Sequence, residues 1–223
     1  NIELKYEDDP QAVLILEGAS GDPANDKIVA ANPDNATVRV NWPMLARIKS
    51  LTISGGKQGL LIRGGARGLV QNSIFENNKR DGITAYTGII LLVNHSTIRN
   101  NGQDEGGSGI NVWNGVVGVE NSTIQNHPNA SGINLEANAT GWLTNSTIEE
   151  AQNGLSADGS SMAWIRDNTF TGPFERGIRI SNNSHAHLRA NTITGYSRTG
   201  IEVNRNSSAR IGVDWDRDSY STS

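Results

Sequence analysis

Apolar residues recur along this chain in columns. A Gly followed by Leu or Ile places Leu60, Ile83, Ile110, Ile133, Leu155, Ile178 and Ile201 at steps of 23, 27, 23, 22, 23 and 23 residues. A second column, in Ser/Asn-x-Ile/Phe context, holds Ile53, Phe75, Ile98, Ile124, Ile148, Phe170 and Ile193 at steps of 22, 23, 26, 24, 22 and 23. A third lies five residues before the second: Ile48, Val70, Val93, Val119, Leu143, Ile165 and Leu188. The first two columns place their one insertion in the same repeat. Within the first column apolar residues alternate, as in Leu60/Ile62, Ile110/Val112 and Ile178/Ile180. Period two predicts strands with one buried face. Each repeat therefore carries three short strands joined by Gly, Asn and Asp turns, and no helical period competes.

A unit this short cannot bury its own apolar face, but stacked units can. The expected fold is all-β: a parallel solenoid of about nine turns at about 23 residues per turn, roughly 43 Å long at ~4.8 Å per rung. Val38/Val40 and then Leu14/Leu16 extend the first column backward at steps of 22 and 24. The chain reads as one domain, 1–223. Residues 1–12 are expected to form an N-terminal cover, 13–213 the coils, and 214–223 a cap and tail with Trp215 over the core end. Ser73, Ser96, Ser122, Ser146, Asn168 and Asn191 share a column beside a turn, where such side chains satisfy backbone groups and one another. The Gly column is expected to supply backbone freedom for a tight corner.

Asn-Ser-Thr-Ile at 121–124 and 145–148, Asn-Thr-Phe at 168–170, Asn-Thr-Ile at 191–193 and the Gly-Ile steps carry a resemblance. The chain resembles the right-handed parallel β-helix superfamily, with its pectate-lyase-like folds, over about residues 48–213. The resemblance implies a right-handed, single-stranded parallel β-helix. It implies no activity, because that fold hosts lyases, hydrolases, epimerases, adhesins and inert scaffolds. No specific enzyme family is matched. Arg47-Ile48-Lys49 is similar to a polygalacturonase motif, but Ile48 is a core position. Gly-His-Gly is absent, and Asp22-Pro23-Ala24-Asn25-Asp26 lacks the His of the epimerase motif.

Charge and composition narrow the partners. The 223 residues carry a net charge of −4, which argues against non-specific nucleic-acid binding. No apolar run approaches the length of a transmembrane helix, so membrane insertion is not expected. Cysteine is absent, which removes disulfides, thiolate metal sites and cysteine nucleophiles. A secreted or cell-surface location is the expectation, with no signal peptide within the chain.

Alternation also points residues outward. One outward column is Leu61, Thr84, Asn111, Asn134, Ser156, Arg179 and Glu202; the next runs Arg63, Tyr86, Trp113, Glu136, Asp158, Ser181 and Asn204. Neighbours in a column sit one rung apart. Arg63, Tyr86, Asn111, Trp113, Asn134, Glu136 and Asp158 thus form a candidate ligand-binding face. Flat aromatics beside amides and carboxylates suit a sugar, and Arg suits a carboxylate. Glu136 and Asp158, with Arg179, are the candidates for catalysis, as acid and nucleophile. The two carboxylates could equally hold Ca²⁺. A second strip holds Trp142, Trp164, Arg166 and His187, which could face a sugar, a partner subunit or a terminal segment. The insertion around Asp104 and Glu105 could also bind Ca²⁺. Otherwise no cofactor is expected. His127, next to Pro128, could act as a surface general base.

Two functions from different classes remain. One is an extracellular solenoid recognising a carbohydrate or polysaccharide without catalysis, or a small uronate-active lyase or epimerase-like enzyme. The other is a structural or adhesive solenoid that assembles with itself.

Overall fold

The inward-pointing columns leave the strands one way to bury them, which is to stack in register. The computed structural model describes residues 2–4, 13–41, 44–87, 90–102 and 106–212. Every strand pair in it is parallel. Leu60 pairs with Ile83, Ile83 with Ile110, Ile110 with Ile133, Ile133 with Leu155, Leu155 with Ile178 and Ile178 with Ile201. These first-column strands form the first sheet. The second-column strands, such as Thr52–Ser54 and Thr97–Arg99, form the second sheet. The third-column strands form a separate nine-stranded sheet that runs from Val13–Glu17 to Ser208–Ile211. In the later repeats one long strand, such as Thr123–Glu136 or Thr147–Ala157, bends around the corner and serves both first and second sheets. Nine rungs in the third sheet enclose eight full turns, close to the nine expected. Among the described residues, no helix is long and apolar enough to cross a membrane.

The core is the inside of this coil. Ile62, Ile83, Ile110, Ile124, Phe75 and Phe170 are among its fully buried side chains. Burial of this continuous apolar stack, at about 25 cal/mol per Å², is the main stabilising contribution.

The N-terminal columns depart from expectation. Val38 and Val40 do extend the first sheet, pairing with Leu60 and Ile62. Leu14 and Leu16 do not: they pair with Ala46 and Ile48 and so open the third sheet. The strand that continues the first sheet is Ile2–Leu4, paired with Val38–Val40. The longer spacing between Leu16 and Val38 holds a turn-rich stretch and the short strand Lys27–Val29, which hides the true period. The rest of the proposed N-terminal cover, and Trp215 with the proposed C-terminal cap, lie outside the described residues.

The tight corner is not made by the Gly column. It is made by a left-handed residue between the third and second sheets: Asn72, His95, Asn121, Asn145, Asp167 and Ala190 all have positive φ, from 44° to 57°. Asn and Asp tolerate this region better than most side chains. The repeated Gly has a different cause. A Cβ on Gly132 would lie 2.8 Å from the Gly154 carbonyl oxygen, and one on Gly154 2.5 Å from that of Gly177. Glycine is required because adjacent rungs approach too closely for a side chain.

The serine column behaves as expected. Ser73 N–H donates to Ser96 Oγ at 3.2 Å, Ser96 N–H to Ser122 Oγ at 3.1 Å, and Ser122 N–H to Ser146 Oγ at 3.2 Å. Asn168 and Asn191 continue the chain through their side-chain oxygens. A second ladder, Ser161–Ser184–Ser207, performs the same task at the corner between the first and third sheets.

Candidate functional site

The outward side chains of the first sheet are brought together as expected, but in a groove rather than on an open face. Asp81 and Arg80 flank it at the corner before Ile83. The insertion lies against them: the Gly107 backbone packs on the Arg80 backbone with no room for a Cβ. Thr84 and Asn111, outward by alternation, are consequently buried at the floor, and Leu61 is buried as well. A depression of about 690 Å³ is lined by Arg63, Arg80, Tyr86, Asn111, Trp113 and Glu136. A second, of about 320 Å³ and almost wholly polar, shares Arg80, Asn111 and Glu136 with it and continues past Asn134 and Ser156 to Arg179. The two form one groove along the helix axis.

Its aromatic end is open. Trp113 is 47% exposed. Among the described residues, Tyr86 and Trp113 make no stacking contact with each other, although they pair across adjacent rungs. The Arg63 guanidinium carbon lies 6.0 Å from the Tyr86 ring centroid, within cation–π range. The Trp113 ring therefore has face area available to a ligand.

The polar end is pre-organised. Asn134 Nδ2 donates to Glu136 Oε1 at 2.9 Å and lies 3.3 Å from Asn111 Oδ1. Asp158, beside Arg179 at the far end, receives Asn182 Nδ2 on both oxygens at 2.8 and 2.9 Å. Arg179 lies 3.6 Å from Asp158 and 3.9 Å from Glu202. The Arg179 guanidinium thus sits between two carboxylates, an arrangement that positions it and its neighbours. The Arg176 hydrogen bond, with the charges of Arg176, Arg198 and Arg179, holds the Glu202 carboxyl below its usual range.

Asp81 also lies in the groove, one residue before the Gly82-Ile83 step. Asp81 is buried, yet its Oδ2 accepts from Thr84 Oγ1 at 2.7 Å and its Oδ1 from Ser108 N–H at 2.8 Å. Burial pushes its pKa up; the bonds from Thr84 and Ser108, the charge of Arg80 and the Asn111 amide oppose that rise. Asp81 thus ties the insertion to the floor of the groove. The signal available in the sequence was its place one residue before a Gly-Ile step, facing the one insertion.

Other expected site residues fall elsewhere. His127 is not on the surface. It is fully buried at the corner between the second and first sheets, with Nδ1 3.2 Å from the Asn101 carbonyl and Nε2 3.3 Å from that of Ile98. Burial lowers its pKa against the opposing pull of the two carbonyls, to only one of which a neutral ring can donate at a time, and a side chain buried in this way cannot serve as a surface base. Trp142, Trp164 and His187 do form a strip on the third sheet. They stack on one another, with centroids 5.2 and 6.1 Å apart and planes 10° from parallel. Ring faces used in this ladder are closed to a sugar. Arg166 pairs with Asp167 at 3.1 Å. Asp104 and Glu105 lie outside the described residues. Among the described residues, no three His, Asp or Glu side chains converge as metal ligands.

A family model described as the right-handed β-helix region matches residues 35–116 and 108–212. The chain belongs to the right-handed β-helix family. Membership fixes the hand of the coil, and the matched residues span the whole groove from Arg63 to Arg179. No curated protein matches this β-helix chain.

Proposed function

We propose that the groove on the first sheet recognises a carbohydrate chain, outside the cell, without chemical change to it. The observation that carries the reading is the open Trp113 ring beside the fixed Asn111–Asn134–Glu136 polar row along the two adjoining depressions. A sugar ring offers C–H groups to an aromatic face and hydroxyls to amides and carboxylates, and both partners stand ready here. The catalytic alternative, a small uronate lyase or epimerase-like enzyme, gains less support, because Arg179 is held between carboxylates.

A second reading draws on the last of the described rungs. Val203 and Ile211 are exposed there, which favours a structural solenoid that assembles end to end.

A glycan array, with and without Ca²⁺ and including uronate polymers, tests both. Binding is expected, with no ultraviolet absorbance from unsaturated uronate products. Trp113→Ala should weaken the hit about tenfold or more with unchanged circular dichroism. New absorbance would make the protein a lyase. Silence on every glycan, with particle size growing with concentration, would replace recognition by assembly.

A further inference from the structure

A second concave surface lies around the corner from the groove, between the second and first sheets of the later rungs. It has a volume of about 700 Å³ and is lined by Pro128, Gln152, Pro173, Phe174, Glu175 and Tyr196. Phe174 is buried and forms its base, while Tyr196 is 48% exposed. The Tyr196 ring rests over Gly200, where a Cβ would lie 3.1 Å from the ring edge. Among the described residues, the ring makes no stacking contact. Glu175 is fixed beside it by Arg176 at 2.8 Å and Arg198 at 3.4 Å. The ingredients of the Trp113 end thus recur: an open aromatic ring, apolar flanks and a carboxylate held in place.

The two surfaces are joined. Gln152 is exposed and lines both this depression and the polar end of the first-sheet groove. From the Trp113 rung to the rung that Tyr196 precedes is four rungs, through Ile133, Leu155, Ile178 and Ile201. At about 4.8 Å per rung that is roughly 19 Å along the axis, a span of several sugar rings.

We infer that Tyr196 forms a distal aromatic subsite for the same glycan chain, which runs along the groove and crosses the corner over Gln152. The inference rests on the carbohydrate reading of the groove. It makes the ligand an oligomer or polymer, because a mono- or disaccharide cannot reach both rings. Linking the two contacts through one chain makes the second an intramolecular event, so affinity depends on chain length.

The test is calorimetry with oligosaccharides of glucose, mannose, galactose, xylose and galacturonate, each as a series from disaccharide to decasaccharide. For the series that binds, affinity should tighten about tenfold further once the chain is long enough to span both rings. Tyr196→Ala, at an exposed position outside the first-sheet groove, should remove that second gain and leave short-chain affinity within about twofold. Trp113→Ala should weaken every length. An affinity that levels off at short lengths, with Tyr196→Ala identical to wild type throughout, overturns the distal subsite and leaves the groove standing. Absence of binding by all five series at every length overturns the carbohydrate reading and the subsite with it.

Discussion

Replacing Gly132 by Ala separates two explanations of the repeated glycine. The added Cβ would stand 2.8 Å from the Gly154 carbonyl oxygen and 2.8 Å from Ile148 Cγ2, with Ile124 Cγ2 at 3.4 Å. The oxygen is backbone in a parallel ladder and cannot swing aside without moving its rung. Overpacking of this kind costs about 1–3 kcal/mol, and a backbone obstacle places it near the top of that range. Loss of glycine freedom in the unfolded chain returns about 0.4–1 kcal/mol. The net expectation is a loss of about 2 kcal/mol. With a urea slope of about 3 kcal/mol/M, the midpoint should fall by about 0.7 M at constant slope. Gly132→Asn should be worse than Ala, since it adds more atoms to the same contact. Gly212, with φ of 77° and nothing near its missing Cβ, is the control, and Gly212→Asn should be nearly neutral. If Asn proves milder than Ala at Gly132, the position needs backbone freedom and the close-approach argument is wrong.

Three further outcomes follow from particular contacts. Trp142→Ala should lower stability by about 0.5–1.5 kcal/mol beyond its lost burial, through the Trp164 stack, while glycan affinity stays unchanged; a matching loss of affinity would move the site to the third sheet. Ser122→Ala strips the Ser96 N–H of its acceptor and the Glu120 carbonyl of its donor, and should cost about 1–3 kcal/mol in urea unfolding; a neutral result would mean the ladder is not stabilising. Asp81 should leave a pH signature. Burial raises its folded pKa above the unfolded value of about 3.9, so its stabilising contribution is full below that value and lost as pH rises through the folded pKa. The stability of wild type relative to Asp81→Asn should therefore decline as pH rises from about 3.9 through the folded pKa and then level off; a difference constant with pH would refute the assignment.

Much of this was legible because a period-two column fixes both its inward and its outward members. Once Ile110 and Val112 face the core, Asn111 and Trp113 must face out, and stacking sets them beside Asn134 and Glu136. Depth was not legible. Whether an outward residue is exposed depends on what flanks the strand, and the Arg80–Asp81 corner with the insertion turns the face into a groove. The same limit concealed His127, which sequence spacing placed at a corner but only the fold turned inward onto two carbonyls. Orientation of rings was also beyond the pattern. Tyr86/Trp113 and Trp142/Trp164 are both aromatic pairs one rung apart, yet only the second pair stacks.

That last contrast bears on how a regular solenoid acquires a site. Repetition by itself favours ladders, in which each side chain is satisfied by its copy one rung away, as in the serine columns and the Trp142–Trp164–His187 stack. A laddered group has its best contact already and little left for a ligand. Unladdered surface therefore appears where repetition fails. Trp113 follows Tyr86 and precedes Glu136 in its column, so neither neighbour reproduces it. Tyr196 stands above Phe174, which is turned into the core. The one insertion falls beside the first of these breaks and is tied down by the buried Asp81 carboxyl. Under the proposed glycan reading, the unstacked rings of Trp113 and Tyr196 are the recognition surfaces, and the Trp142–Trp164–His187 stack is scaffold.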